Sequence, residues 1–146
     1  MTQKIRLLTL FLQRFEGFSS PRIAVLALNP HAQEFTCGAE KRIARAVRSA
    51  QRNARTSLVV EGPFPADTLK QLLTEFDGIV AMYHDQAMIP AKLLATGGVN
   101  VTLGLPFPRT SPLHGTAFDI AERYLARPES MIDAIKLCQR MTLMVQ

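Results

Sequence analysis

The chain has 146 residues, 47% of them hydrophobic, enough for one domain with its own core. Charged residues make up 20% and mean hydropathy is near zero, which excludes wholesale disorder, and no apolar run approaches the roughly eighteen residues of a membrane span. The formal net charge of +5 favours an anionic partner without choosing between nucleic acid, a phosphorylated metabolite and a dinucleotide.

Thr2 to Phe15 carries Ile5, Leu8, Leu12 and Phe15 on one helical stripe, widened by Leu7, Leu10 and Phe11, which predicts a largely buried helix. Gln3, Lys4, Arg6, Gln13 and Arg14 interrupt it and it has no small-residue cleavage site, so it does not read as a signal peptide. After a turn at Gly17 to Pro21, RIAVLAL is a nearly continuous apolar run ending at Asn29-Pro30, the pattern of a buried parallel strand. Cys37 to Ala54 predicts a helix and SLVVEG a second strand. Pro65 to Thr68 opens another helix that ends near Asp77-Gly78, followed by GIVAMY as a third strand and a helix from Gln86 to Leu94. Gly97-Gly98 releases the chain into VNVTLGL, a fourth strand. Pro106 to Gly115 reads as a loop, and two helices, Thr116 to Leu125 and Glu129 to Met144, close the chain. Strands separated by single helices predict one α/β domain over 1–146, a parallel sheet with helices on both faces. In such sheets ligands gather beyond the carboxyl ends of the strands.

All three histidines fall in those places: His31 after the first strand, His84 after the third and His114 after the fourth. A lone loop histidine usually caps a helix or bonds to backbone. Three at strand ends instead suggest a divalent-metal site, with Asp85 or Glu34 as a further ligand or orienting carboxylate. Lys92, Asn100 and Arg109, with Thr110 and Ser111 beside Arg109, form a second constellation suited to phosphate or carboxylate. No GxGxxG or Walker pattern occurs, so any nucleotide would be bound in another way. Cys37 and Cys138 stand in unrelated contexts, which fits a reducing cytoplasm and excludes a cysteine-built zinc site. Arg45, Arg48, Arg52 and Arg55, with Lys41 and Arg42, make a basic helical stripe. Without interleaved aromatics or a nucleic-acid motif it reads as a solvated face rather than a nucleic-acid surface.

Leu28-Asn29-Pro30-His31-Ala32, Gly62-Pro63-Phe64-Pro65-Ala66-Asp67-Thr68, Ala81-Met82-Tyr83-His84-Asp85-Gln86, Val99 to Pro106, Arg109-Thr110-Ser111 and His114-Gly115-Thr116-Ala117 occur in series from about Gly17 to the C-terminus. In this series the sequence resembles the 4-hydroxythreonine-4-phosphate dehydrogenase family of pyridoxal-phosphate biosynthesis. The resemblance implies a fold like that of isocitrate and isopropylmalate dehydrogenases, with this chain corresponding to the family's C-terminal part and the N-terminal half absent. It also implies NAD-dependent oxidation of 4-phosphohydroxy-threonine, followed by decarboxylation, at a divalent metal such as zinc, magnesium or cobalt. His31 and His84 match two of three metal ligands, the His84-type ligand reaching across a homodimer interface. Lys92, Asn100 and Arg109 match substrate-binding residues, and Asp85 is a candidate for proton handling.

The sequence also departs from the family. Gln33 to Cys37 replaces a glycine-rich stretch, Leu113 stands where the family has aspartate, and Glu122-Arg123-Tyr124 replaces a glycine-containing turn. With one histidine ligand outside the chain, metal binding by the chain alone should be weak. Two alternatives follow: a non-catalytic assembly subunit or pseudoenzyme, and a related dehydrogenase for another phosphorylated hydroxy acid. The expected partners are a phosphorylated small-molecule substrate and a second chain, either another copy or the missing N-terminal half, with no membrane and no nucleic acid.

Overall fold

The computed structural model describes residues 1–31, 38–52, 58–94 and 97–144. They divide into two compact units, Met1–Ile89 and Pro90–Gln146, a division that no linker or shift in composition marks in the sequence. The Gln33 to Cys37 substitution, Glu34, and Arg55 at the end of the basic stripe lie outside the described residues.

The first unit is built on β1 (Arg22–Leu26), with β2 (Val59–Phe64) and β3 (Gly78–Val80) parallel to it in the order β2-β1-β3. Four successive residues of β1, Ile23 to Leu26, are fully buried, which explains their unbroken apolar run. Side chains alternate across a strand, so they divide between two layers. Ile23 and Val25 pack with Ile5 and Leu12 of α1 (Thr2–Phe15) and Ile43, Val47 and Ala50 of α2 (Gly38–Arg52). Ala24 and Leu26 pack with Leu72 of α3 (Leu69–Glu75) and with Phe76. A single 3-10 turn, Ala66–Thr68, leads into α3. Helices therefore cover both faces of a parallel sheet, as the alternating pattern predicts.

α1 has the predicted limits but buries one side only. Ile5, Thr9 and Leu12 are inside, while Leu10 is half exposed. The Thr9 hydroxyl donates to the Ile5 carbonyl at 2.9 Å, so a polar residue sits on the buried stripe without an unmet bond. On α2, Ile43, Val47 and Ala50 turn inward and Lys41, Arg42, Arg45, Arg48 and Arg52 outward, the solvated face expected of the stripe. Gln51 ties this helix to the sheet edge: its amide donates to the Leu58 carbonyl at 2.8 Å and accepts from the Val60 N–H at 2.7 Å.

The expected third strand, GIVAMY, is shorter than predicted, only Gly78–Val80, and α4 (His84–Leu94) begins two residues before the predicted start. The second unit departs further. VNVTLGL does not extend the parallel sheet. It contributes β4 (Val99–Val101), which pairs antiparallel with β5 (Thr110–Pro112) inside the segment predicted as loop. The signal was present, because Val99 and Val101 alternate with Asn100 and Thr102, as in a strand covered on one face only. Of the two closing helices only α5 (Glu129–Leu143) forms. Between Thr116 and Leu125 there is one 3-10 turn, Phe118–Ile120, and Ala117, Glu122 and Tyr124 are left-handed. No residue of that stretch is buried, so its apolar spacing has no core against which a helix could be stabilised.

Candidate functional site

The chain steps from β1 through α2 to β2, then passes back across β1 by way of α3 to reach β3. β1 and β3 are therefore neighbouring parallel strands, and open α/β sheets bind ligands beyond the carboxyl ends of their strands. The segments leaving these two strands carry His31 and His84.

Beyond β1, the Ala27 N–H donates to the Phe64 carbonyl at 2.7 Å and keeps the chain on the sheet. The Asn29–His31 turn follows. Asn29 donates its N–H to Glu40 Oε1 at 2.8 Å, and its own Oδ1 accepts the His31 N–H at 2.9 Å. Beyond β3, His84 and Asp85 form the first turn of α4 rather than a preceding loop, and His31, His84 and Asp85 are all exposed. Gln86 joins the two ends. Its Oε1 accepts the Met82 N–H at 2.8 Å and its Nε2 donates to the Ala27 carbonyl at 2.8 Å. One amide side chain thus bonds backbone just past both β1 and β3. Gln86→Leu is expected to lower stability by about 1–3 kcal/mol, since two part-buried backbone groups lose their partners. Urea unfolding of the variant beside the parent chain measures this, and an unchanged midpoint would refute it.

His31 and His84 are suitable donors for a divalent ion, as neutral imidazoles. They are two where a catalytic metal usually has three protein ligands. Among the described residues no group of three His, Cys, Asp or Glu side chains converges to complete such a set.

In the second unit Asn100 lies opposite Ser111, and Val99 and Val101 opposite Pro112 and Thr110. The two-residue period of a strand puts Asn100, Thr102, Arg109 and Ser111 on one face of the ladder. The other face meets α5, where the Thr110 hydroxyl donates to the Ala134 carbonyl at 2.8 Å. The Thr102 N–H donates to the Arg109 carbonyl at 2.9 Å, and Arg109 Nη1 donates to Thr102 Oγ1 at 2.7 Å. This places Asn100 and Arg109 on one exposed surface and anchors the guanidinium, which has further donors for an anion.

Lys92, in the last turn of α4, lines a separate cavity of about 430 Å³ with Gly98, Leu113, His114, Arg127 and Ser130. Ser130 fastens the wall. Its hydroxyl donates to the Gly98 carbonyl at 2.5 Å and accepts the Leu113 N–H at 3.1 Å. His114 Nδ1 lies 2.9 Å from the Gly115 carbonyl. No hydrogen bond among the described residues joins Lys92 to Asn100 or Arg109. Sequence reasoning missed Glu40, Gln86 and Arg127. Gln86 lay within the Tyr83 to Gln86 motif, and Glu40 was visible only as an acid in the first turn of a helix.

Residues 1–138 match the family described as "Pyridoxal phosphate biosynthetic protein PdxA". The chain is 51% identical over 136 residues to a 4-hydroxythreonine-4-phosphate dehydrogenase of Roseobacter denitrificans, covering 89% of this chain and 41% of that protein. It is similar to the crystal structure of 4-hydroxythreonine-4-phosphate dehydrogenase from Klebsiella pneumoniae, with a TM-score of 0.76 and 43% identity over 96% of this chain and 43% of that one. It also resembles a terephthalate 1,2-cis-dihydrodiol dehydrogenase from Burkholderia xenovorans LB400, with a TM-score of 0.60 and 29% identity over 96% of this chain and 45% of that one. The chain thus spans less than half the length of each. No helix among the described residues is long and apolar enough to cross a membrane.

Proposed function

The chain belongs to the pyridoxal phosphate biosynthetic protein PdxA family, and on that premise we propose that it forms the His31- and His84-bearing lobe of an NAD-dependent 4-hydroxythreonine-4-phosphate dehydrogenase. The observation that supports this reading is that both histidine segments follow the carboxyl ends of β1 and β3, which are neighbouring parallel strands.

His31 of one chain and His84 of a second copy would hold the divalent metal, zinc, magnesium or cobalt, with a third donor supplied by a chain segment carrying the rest of the family's length. When bound, such an ion polarises the substrate alcohol oxygen as a Lewis acid. Lys92, Asn100 and Arg109 receive the phosphate and carboxylate of 4-phosphohydroxy-threonine, Arg109 through the paired N–H groups that suit either anion. Asp85, next to His84, would take the hydroxyl proton; NAD, when bound, would supply the hydride acceptor, and the product would be a β-keto acid able to lose carbon dioxide. A related dehydrogenase for a different substrate is the second reading, supported by the likeness to the dihydrodiol enzyme. The cationic and amide side chains at Lys92, Asn100 and Arg109 favour the phosphorylated substrate.

Calorimetric titration of the folded chain with zinc and cobalt tests the reading. Weak binding is expected, reduced at least about tenfold in both His31→Ala and His84→Ala. Binding unchanged in both variants would overturn it.

A further inference from the structure

We propose that Glu40 is the positioning residue of the His31 turn, acting from the first turn of α2 through Asn29. The inference rests on reading His31 as a metal ligand, but its evidence is separate. Glu40 is one of the two polar or charged side chains buried among the described residues, only 3% exposed. Its Oε1 accepts the Asn29 N–H at 2.8 Å, and Asn29 Oδ1 accepts the His31 N–H at 2.9 Å. Two hydrogen bonds in series therefore run from a buried carboxylate to the backbone of the histidine. Glu40 Oε2 is also buried and has no hydrogen-bond partner among the described residues.

A carboxylate with half its acceptor capacity unmatched is costly inside a protein, and an apolar side chain would fill that space at lower cost. Two features offset the cost. The first turn of a 15-residue helix favours negative charge, and a hydrogen bond to an ionised acceptor is stronger than one between neutral groups. The Asn29–His31 segment is exposed or half-buried and has little packing of its own. Through Asn29, Glu40 gives this segment a buried anchor, so less ordering remains to be done when an ion binds.

The test uses the 146-residue chain and reads the hydrogen exchange of the His31 amide by NMR beside a cobalt titration. Glu40→Met removes the acceptor while keeping bulk, and Asn29→Ala breaks the second link without touching the core. Each is expected to speed His31 amide exchange by about tenfold, the effect of one lost hydrogen bond, and to weaken cobalt binding, with the double variant no worse than either single one. Glu40→Gln keeps an acceptor oxygen and is expected to stay near the parent in both readouts. His31 exchange unchanged in Glu40→Met, or as fast in Glu40→Gln as in Glu40→Met, would overturn the proposal. If Glu40→Met does not fold, Glu40→Asp, which shortens the reach but keeps the charge, decides by the same exchange criterion. If His31→Ala leaves cobalt binding unchanged, the ligand reading fails, and the positioning claim is judged on the amide alone.

Discussion

Gly62→Ala is expected to destabilise the chain by about 2–4 kcal/mol, through backbone strain and a collision that cannot relax. Gly62 has φ +132°, a conformation that residues with a side chain rarely adopt. A Cβ built there would run into the carbonyl oxygen of Val25. Val25 lies in the central strand with its side chain fully buried among α1 and α2, so β1 cannot retreat. The pairing of β1 with β2 shifts register between Ala24 and Leu26, and the glycine lets the two backbones come this close. Gly38→Ala is the control, since no described residue lies within 4 Å of a Cβ there. Urea denaturation should separate the two variants clearly. Equal midpoints would mean that β2 accommodates the methyl group.

Leu26→Ala is expected to cost about 3–5 kcal/mol, the upper range for a leucine removed from a rigid core. Leu26 is fully buried and shares its layer with Ala24, Leu72 and Phe76. α3 is only seven residues long, so its one buried side chain, Leu72, has little freedom to close the cavity. Leu93→Ala, at a position 79% exposed, should change stability by no more than about 0.5 kcal/mol. Leu26 is also the last residue of β1, just ahead of the Ala27 carbonyl that Gln86 holds. A Leu26→Ala midpoint like that of Leu93→Ala would show that this layer contributes little.

The first unit was largely legible because its signals are local. The α1 stripe, the unbroken apolar run of β1 and the inward Ile43, Val47 and Ala50 of α2 each state their burial through sequence spacing. The second unit was not, for different reasons at different residues. Val99 to Val101 reads as a strand whatever its partner, and only the alternation with Asn100 and Thr102 hints at a one-sided ladder. Thr110-Ser111-Pro112 has little strand character of its own and is held by contacts with β4 and α5. Thr116 to Leu125 has helical spacing but no surface to bury it on.

At the candidate site, His31, His84, Asn100 and Arg109 were readable because their side-chain chemistry marks them. Glu40 and Gln86 were not, because their meaning comes from partners 11 and 59 residues away along the chain. A buried Glu and a helical Gln look like surface residues until the fold brings a backbone group to each.

The thinness of the second unit bears on Asn100 and Arg109. Ala134 and Met141 are its only buried hydrophobic residues among those described, whereas the first unit has a layered core on both faces of β1. A two-stranded ladder is marginal without a helix against it. The β4–β5 hairpin therefore depends on α5 and is expected to open at a smaller free-energy cost than the first unit's sheet, ahead of global unfolding. Asn100 and Arg109 sit on this easily opened hairpin, while the histidine segments rest on the firmer sheet. A protease sampling the native chain would meet the 97–144 region first and leave the sheet to be cut last.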